Sequence, residues 1–140
     1  MVVVAVVSGT TKPDRVIAEA ARQADDRGTI VHVLYVQGLG WYANLEITLS
    51  ERIGIPTGLE GIRETCERKA AGIAEPVLEE YEAVGVVGRP IEEIVRYARS
   101  VDADCVVVDA EANWGAGLES LTRNSLAKLR ESDVPVVPVY

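Results

Sequence analysis

The sequence predicts an α/β fold: a three-layer α/β/α sandwich on a five-stranded parallel sheet of strand order 3-2-1-4-5. Three observations lead there. Short Val-rich runs alternate with longer segments of helical periodicity, giving the order β-α-β-α-β-α-β-α-β. The runs Val2–Val7 and Asp104–Val108 are almost unbroken in apolar residues, the pattern of strands buried on both faces. Helices between successive strands imply right-handed crossovers that cover both sides of a parallel sheet.

The elements follow in order. Val2–Val7 is the first strand, and Ser8-Gly9-Thr10-Thr11 ends it. Thr11, with Pro13 and Asp14 after it, is a helix start. Val16, Ala20 and Ala24 repeat at helical spacing, and Gly28 stops that helix. Thr29–Val36 is the second strand. It carries His32, the only histidine, which reads as structural because no Ser, Cys or carboxylate pattern accompanies it. Residues 37–60 form a long glycine-rich crossover, with a short helix expected near Leu45–Ile53. Trp41 and Tyr42 are read as covering the sheet edge, with a lid over a binding cleft as the alternative.

Ile62–Tyr81 is charged and helical, and Pro76 should bend or break it. Val84–Val87 is the third strand. Gly88-Arg89-Pro90 turns into a helix in which Ile91, Ile94, Val95 and Ala98 share one face. Asp104–Val108 is the fourth strand. Leu118, Leu121, Leu126 and Leu129 mark the last helix. Val134–Val139 is the fifth strand, and Pro135 and Pro138 require it to lie at an edge. The architecture is flavodoxin-like or Rossmann-like.

The 140 residues amount to about one domain, 1–140, and 48% of them are hydrophobic, enough to fill one core. Phe is absent, so that core is mostly Val, Ile, Leu and Ala. The longest apolar run is far short of a membrane span. No basic leader with a cleavage site precedes it, so a cytoplasmic location is expected. The net charge of −8 argues against nucleic acid and against anionic membrane surfaces. Cys66 and Cys105 lack CxxC spacing, which with a single histidine speaks against a zinc site. Cys105 reads as a small buried residue in a Val-rich strand.

Val106-Val107-Val108-Asp109-Ala110-Glu111-Ala112-Asn113-Trp114-Gly115-Ala116-Gly117-Leu118 leads a buried strand into a small-residue loop that opens a helix. In open α/β folds such a junction binds phosphates, because free backbone N–H groups point outward there. Acidic and bulky residues interrupt this one.

Three stretches of the chain resemble the universal stress protein family: Val2–Thr10; Gly88-Arg89-Pro90-Ile91-Glu92-Glu93-Ile94 through Ala98 with Ala103-Asp104-Cys105-Val106-Val107-Val108; and Asp133-Val134-Pro135-Val136-Val137. The resemblance covers nearly everything except residues 37–60. It implies an adenine nucleotide alpha hydrolase-like sandwich and a stress-response role, with pairing of the last strand to its two-fold mate. Members that bind ATP share Gly-x2-Gly-x9-Gly-(Ser/Thr) at the fourth strand and loop. Without a gap those positions here are Asp109, Ala112, Thr122 and Arg123. With the last helix two residues shorter, Gly117 and Ser125 match, and Asn124 stands for the third glycine. Where the family has Asp-Gly-Ser after the first strand, this chain has Ser8-Gly9-Thr10, and Ser8 cannot act as a charged acceptor. Val36 sits where the family's second strand offers backbone to adenine.

No GxxxxGK[ST] loop and no GxSxG elbow appears, and the GxG at Gly115–Gly117 alone is weak. The acid pairs Asp25-Asp26, Glu79-Glu80 and Glu92-Glu93 read as solvated helix faces. The resemblance together with the altered loop therefore implies a non-enzymatic, dimeric stress-response or regulatory module that needs no cofactor. The alternative is an ATP- or AMP-binding member with at most slow hydrolysis. Any small ligand is expected at the carboxyl ends of strands one and four, the topological switch point, among Ser8, Gly9, Val36, Asp109, Gly117 and Ser125. Asp109 would set a carboxylate about 4 Å from a polyphosphate, costing roughly 1 to 4 kcal/mol. The partner expected is a second copy, through the apolar segment Val136–Tyr140.

Overall fold

The computed structural model describes residues 1–38, 59–112 and 125–140. Within them, β1 (Val3–Val6), α1 (Pro13–Arg27), β2 (Val31–Gly38), α2 (Leu59–Ala74), β3 (Tyr81–Gly88), α3 (Pro90–Ser100), β4 (Cys105–Asp109), α4 (Ser125–Arg130) and β5 (Val136–Val139) follow one another. The sheet is parallel throughout and ordered β3-β2-β1-β4-β5, as the sequence predicts. The regions around Leu45–Ile53, Trp41 and Tyr42, and the Leu118 and Leu121 part of the last helix, lie outside the described residues.

Alternation of side chains along the strands divides the core into two layers. Val3, Ala5 and Val7 of the first strand and its end, with Val31, Val33 and Val107, meet Val16, Ile17, Ala20 and Ala24 of α1 and Ala70 and Ala74 of α2. Val4, Val6, Leu34, Val36, Val106 and Val108 point to the other side, toward Ile94 and Ala98 of α3 and Leu129 of α4. Every residue of β1 and β4 is buried, which is why neither strand contains a polar face.

The helix boundaries have local causes. Lys12 occupies the cap position of α1 without a capping side-chain bond, and Pro13 opens the first turn in place of the start expected at Thr11. Gly28 ends α1 in the left-handed region at φ +66°, its N–H bonded to Asp25 O while Thr29 N–H reaches Ala24 O. The second helix stops at Ala74, two residues before Pro76, so the proline follows a helix end and does not kink a longer helix. Leu78 N–H closes the turn onto Ala74 O. The third strand therefore starts at Tyr81, a residue the sequence reading gave to the helix, and pairs with β2 over eight residues. The fifth strand begins at Val136, two residues later than predicted.

His32 joins two elements of the fold. Its Nδ1 lies 2.6 Å from the Tyr97 hydroxyl, tying β2 to α3. Burial lowers its pKa, with Glu82 acting in the opposite sense. Cys66 and Cys105 are both buried thiols.

β5 forms an edge, and its outer side shows where Pro138 is tolerated. Val106 N–H donates to Pro135 O and Ala110 N–H to Val139 O, so the alternation of a parallel ladder turns the polar backbone of Val136 and Pro138 outward. The N–H that Pro138 lacks is thus absent from the free side, and the β4–β5 ladder loses nothing.

Gly85 fixes how closely α2 approaches the sheet. A Cβ at this position would lie 2.3 Å from Arg63 O and 2.6 Å from Glu67 N, both helix backbone atoms that cannot move aside. Gly85→Ala is expected to destabilise the chain by about 1 to 3 kcal/mol through overpacking. Gly72→Ala, with open space around the new methyl, should stabilise α2 by roughly 0.5 to 1 kcal/mol. Urea midpoints of the two variants should move in opposite directions; a shared direction would contradict this account of the helix–sheet contact.

Candidate functional site

The carboxyl ends of β1, β2 and β4 lie side by side at one end of the sheet. The chain leaves β1 through Ser8 and turns at Gly9, whose φ of +67° suits glycine. Ser8 is buried, and its Oγ accepts the Val36 N–H at 2.9 Å. Two of the predicted residues are thereby joined directly. The backbone donor at Val36, where the resemblance implies adenine contact, is engaged by a side chain of β1's own loop.

Asp109 is the last residue of β4, one position beyond the strand end read from the sequence. It is only 3% exposed, and its oxygens are met by donors of the protein itself. Thr10 Oγ1 donates to Oδ2 at 2.6 Å. Glu111 N–H donates to Oδ1 at 2.8 Å, and Lys12 Nζ lies 3.6 Å from the same oxygen. Thr10 is itself oriented, because its oxygen accepts the Lys12 N–H at 3.0 Å. Burial alone would raise the carboxyl pKa, but the Thr10 hydroxyl, the Glu111 amide and the Lys12 ammonium outweigh it and hold Asp109 below the usual carboxylate range.

This is an ionised carboxylate satisfied on both oxygens. Among the described residues its partners are Thr10, Glu111 and Lys12, and none is a histidine. Among the described residues no three His, Cys, Asp or Glu side chains come together to hold a metal. A groove beside Leu126, Ala127, Arg130 and Glu131 of α4 and its end contains none of this network.

Of the predicted site residues, Ser8, Gly9, Val36 and Asp109 gather at this end of the sheet. Gly117 lies outside the described residues. Ser125 is the first residue of α4. Lys12, in ion-pair contact with Asp109, is not among the residues the sequence points to, and Thr10 enters there only as a substitute for a family serine. Strand order holds the signal: once β1 neighbours β4, a Thr and a Lys just after one must meet an Asp at the end of the other.

The model of the universal stress protein family matches residues 1–139. Among curated proteins no relative matches. Among solved structures, a universal stress protein in complex with cAMP is 21% identical, with a TM-score of 0.63 over 100% of this chain and 96% of its own. The Archaeoglobus fulgidus universal stress protein in complex with dAMP is 21% identical, with a TM-score of 0.62 over 100% and 98%. Universal stress protein UspA from Lactobacillus plantarum is 16% identical, with a TM-score of 0.64 over 99% and 96%. At these identities the likeness is one of fold.

Because the folded state depresses the Asp109 pKa, its stabilising contribution is present above the unfolded carboxyl pKa of about 4 and is lost as pH falls through the lower folded value. Asp109→Asn is expected to lower stability at pH 7 by about 1 to 3 kcal/mol, the range for a hydrogen-bonded buried charge. Its loss of stability between pH 5 and 3 should be smaller than that of the unaltered chain. Urea unfolding at pH 7, 5 and 3 checks both parts, and an unchanged acid slope contradicts the assignment.

Proposed function

The chain belongs to the universal stress protein family, and from that membership we propose that it is a non-enzymatic, homodimeric stress-response or regulatory module that does not bind ATP. One observation carries the reading: the carboxylate of Asp109, at the first position of the family's phosphate motif in the ungapped register, is buried and ionised at the end of β4. A triphosphate placed there meets like charge in a poorly hydrated setting. The Val36 N–H is also taken by Ser8, and among the described residues no nucleophile and base stand together at this end of the sheet to support hydrolysis.

A second reading is favoured by the two relatives whose structures contain cAMP and dAMP. In it the chain takes an adenine nucleotide, ATP or AMP, through Gly9, Val36, Gly117 and Ser125, with at most slow hydrolysis. Calorimetric titration separates the two. ATP and AMP are both expected to give no saturable heat up to millimolar concentration; a dissociation constant in the low micromolar range for either establishes the second reading.

The dimer is proposed to form through Val136–Tyr140. Val136, Val137 and Val139 are each only partly covered by the chain's own core, and Tyr140 is exposed. Since Pro138 offers no outward N–H, side-chain contact is the main adhesive, and an isologous arrangement brings each Val137 near its mate. Sedimentation at micromolar concentration should give twice the 15.1 kDa chain mass. A monomer, or a dimer that survives deletion of Val136–Tyr140, excludes this interface.

A further inference from the structure

We propose that Thr10, Lys12 and the Glu111 amide form an oxyanion cradle which the chain keeps filled with its own Asp109 carboxylate. An external carboxylate or phosphate monoester then binds only when that side chain is withdrawn. The inference rests on the reading above, in which the unaltered cleft holds no nucleotide, and adds the ligand class and the device that excludes it.

The geometry is that of a ligand and its site. Three donors of different kinds, a hydroxyl, a backbone amide and an ammonium, converge on the two oxygens of one carboxylate at 2.6, 2.8 and 3.6 Å. They come from two segments far apart in sequence, the β1–α1 loop and the turn after β4. Charge-assisted hydrogen bonds such as the first two, with an ammonium in ion-pair contact beside them, bind carboxylates and phosphates alike. The Thr10 hydroxyl is set to donate, because its oxygen is already used by the Lys12 N–H. The Lys12 side chain is 22% exposed and Glu111 is exposed, so the cradle reaches solvent on one side although Asp109 itself does not. In this proposal, removing the Asp109 side chain leaves the Thr10 hydroxyl, the Glu111 amide and the Lys12 ammonium to take an external anion in its place.

The test is rescue of Asp109→Ala by small anions. Melting temperatures are measured in acetate, in inorganic phosphate and in chloride at matched ionic strength. The expected result is a saturable rise of several degrees in acetate or phosphate over chloride for Asp109→Ala, with no anion-specific rise for the unaltered chain. Adding Lys12→Ala should abolish the rise. Rescue by acetate alone assigns the cradle to carboxylates; rescue by phosphate as well extends it to phosphate monoesters. A rise of equal size in the unaltered chain, no rise in the variant, or a rise that persists without Lys12 overturns the proposal. Should Asp109→Ala fail to fold, Asp109→Ser retains an oxygen for Thr10 and gives the same comparison. AMP binding by the unaltered chain sinks the reading in the preceding subsection and, with it, the exclusion of phosphate monoesters by Asp109, while the acetate result on the variant alone decides whether the three donors form an anion cradle.

Discussion

Two strands without a polar side chain on either face can sit only in the middle of a sheet covered on both sides. β1 and, up to its last residue Asp109, β4 are such strands, and their pairing, Val3 opposite Cys105 through Ala5 opposite Val107, is the constraint on which the remaining structure is arranged. Once they are adjacent, β2 and β3 are confined to one flank and β5 to the other. The chain winds outward from the centre in both directions, and the helices that follow β1 and β4, α1 and α4, pack on opposite faces of the sheet. The polar residues of the site lie at the carboxyl ends of these strands because the strands themselves can carry none before their final residues.

That placement sets the chemistry of Asp109. A carboxylate at the end of a buried strand is desolvated, and desolvation favours the neutral acid. Three protein donors reverse that preference. The result links β4 to the loop leaving β1 across 99 residues of sequence. It is a weak source of net stability, since a buried ion gains from its partners little more than it loses in hydration. Its effect is greater on specificity: removing any one donor strands a charge, so this conformation of the β1–α1 loop is held against its alternatives.

Much of the architecture could be read from the chain itself. The Val runs, the helical spacing of Val16, Ala20 and Ala24, the shared face of Ile94 and Ala98, and the edge position demanded by Pro135 and Pro138 are local signals, and each appears in the fold. The boundary at Tyr81 was missed because a polar strand start, Tyr81-Glu82, resembles the charged helix before it; pairing with Val31 and His32 decides it. Within the site, Ser8, Gly9, Val36 and Asp109 were legible through family resemblance, whereas the role of Asp109 as an internal partner was not. Burial and pairing are properties of neighbours in space, and Lys12 has no sequence pattern that marks it. Gly85 did offer a clue, since a glycine inside a Val-rich strand signals close approach of another backbone.

The outward-facing Pro138 gives the margin of the sheet an unequal valence. Along that stretch β5 presents the carbonyls of Val136 and Pro138 but only the amide of Val136. A strand arriving from solution finds sites that accept and too few that give, so one of its own carbonyls is left facing a pyrrolidine ring. Water satisfies such an edge more completely than another strand does. A single closed pairing between two-fold mates suffers this mismatch once on each side and then ends, whereas a growing stack suffers it at every added layer. The same residue that obliges β5 to lie outermost therefore discourages the sheet from growing beyond it.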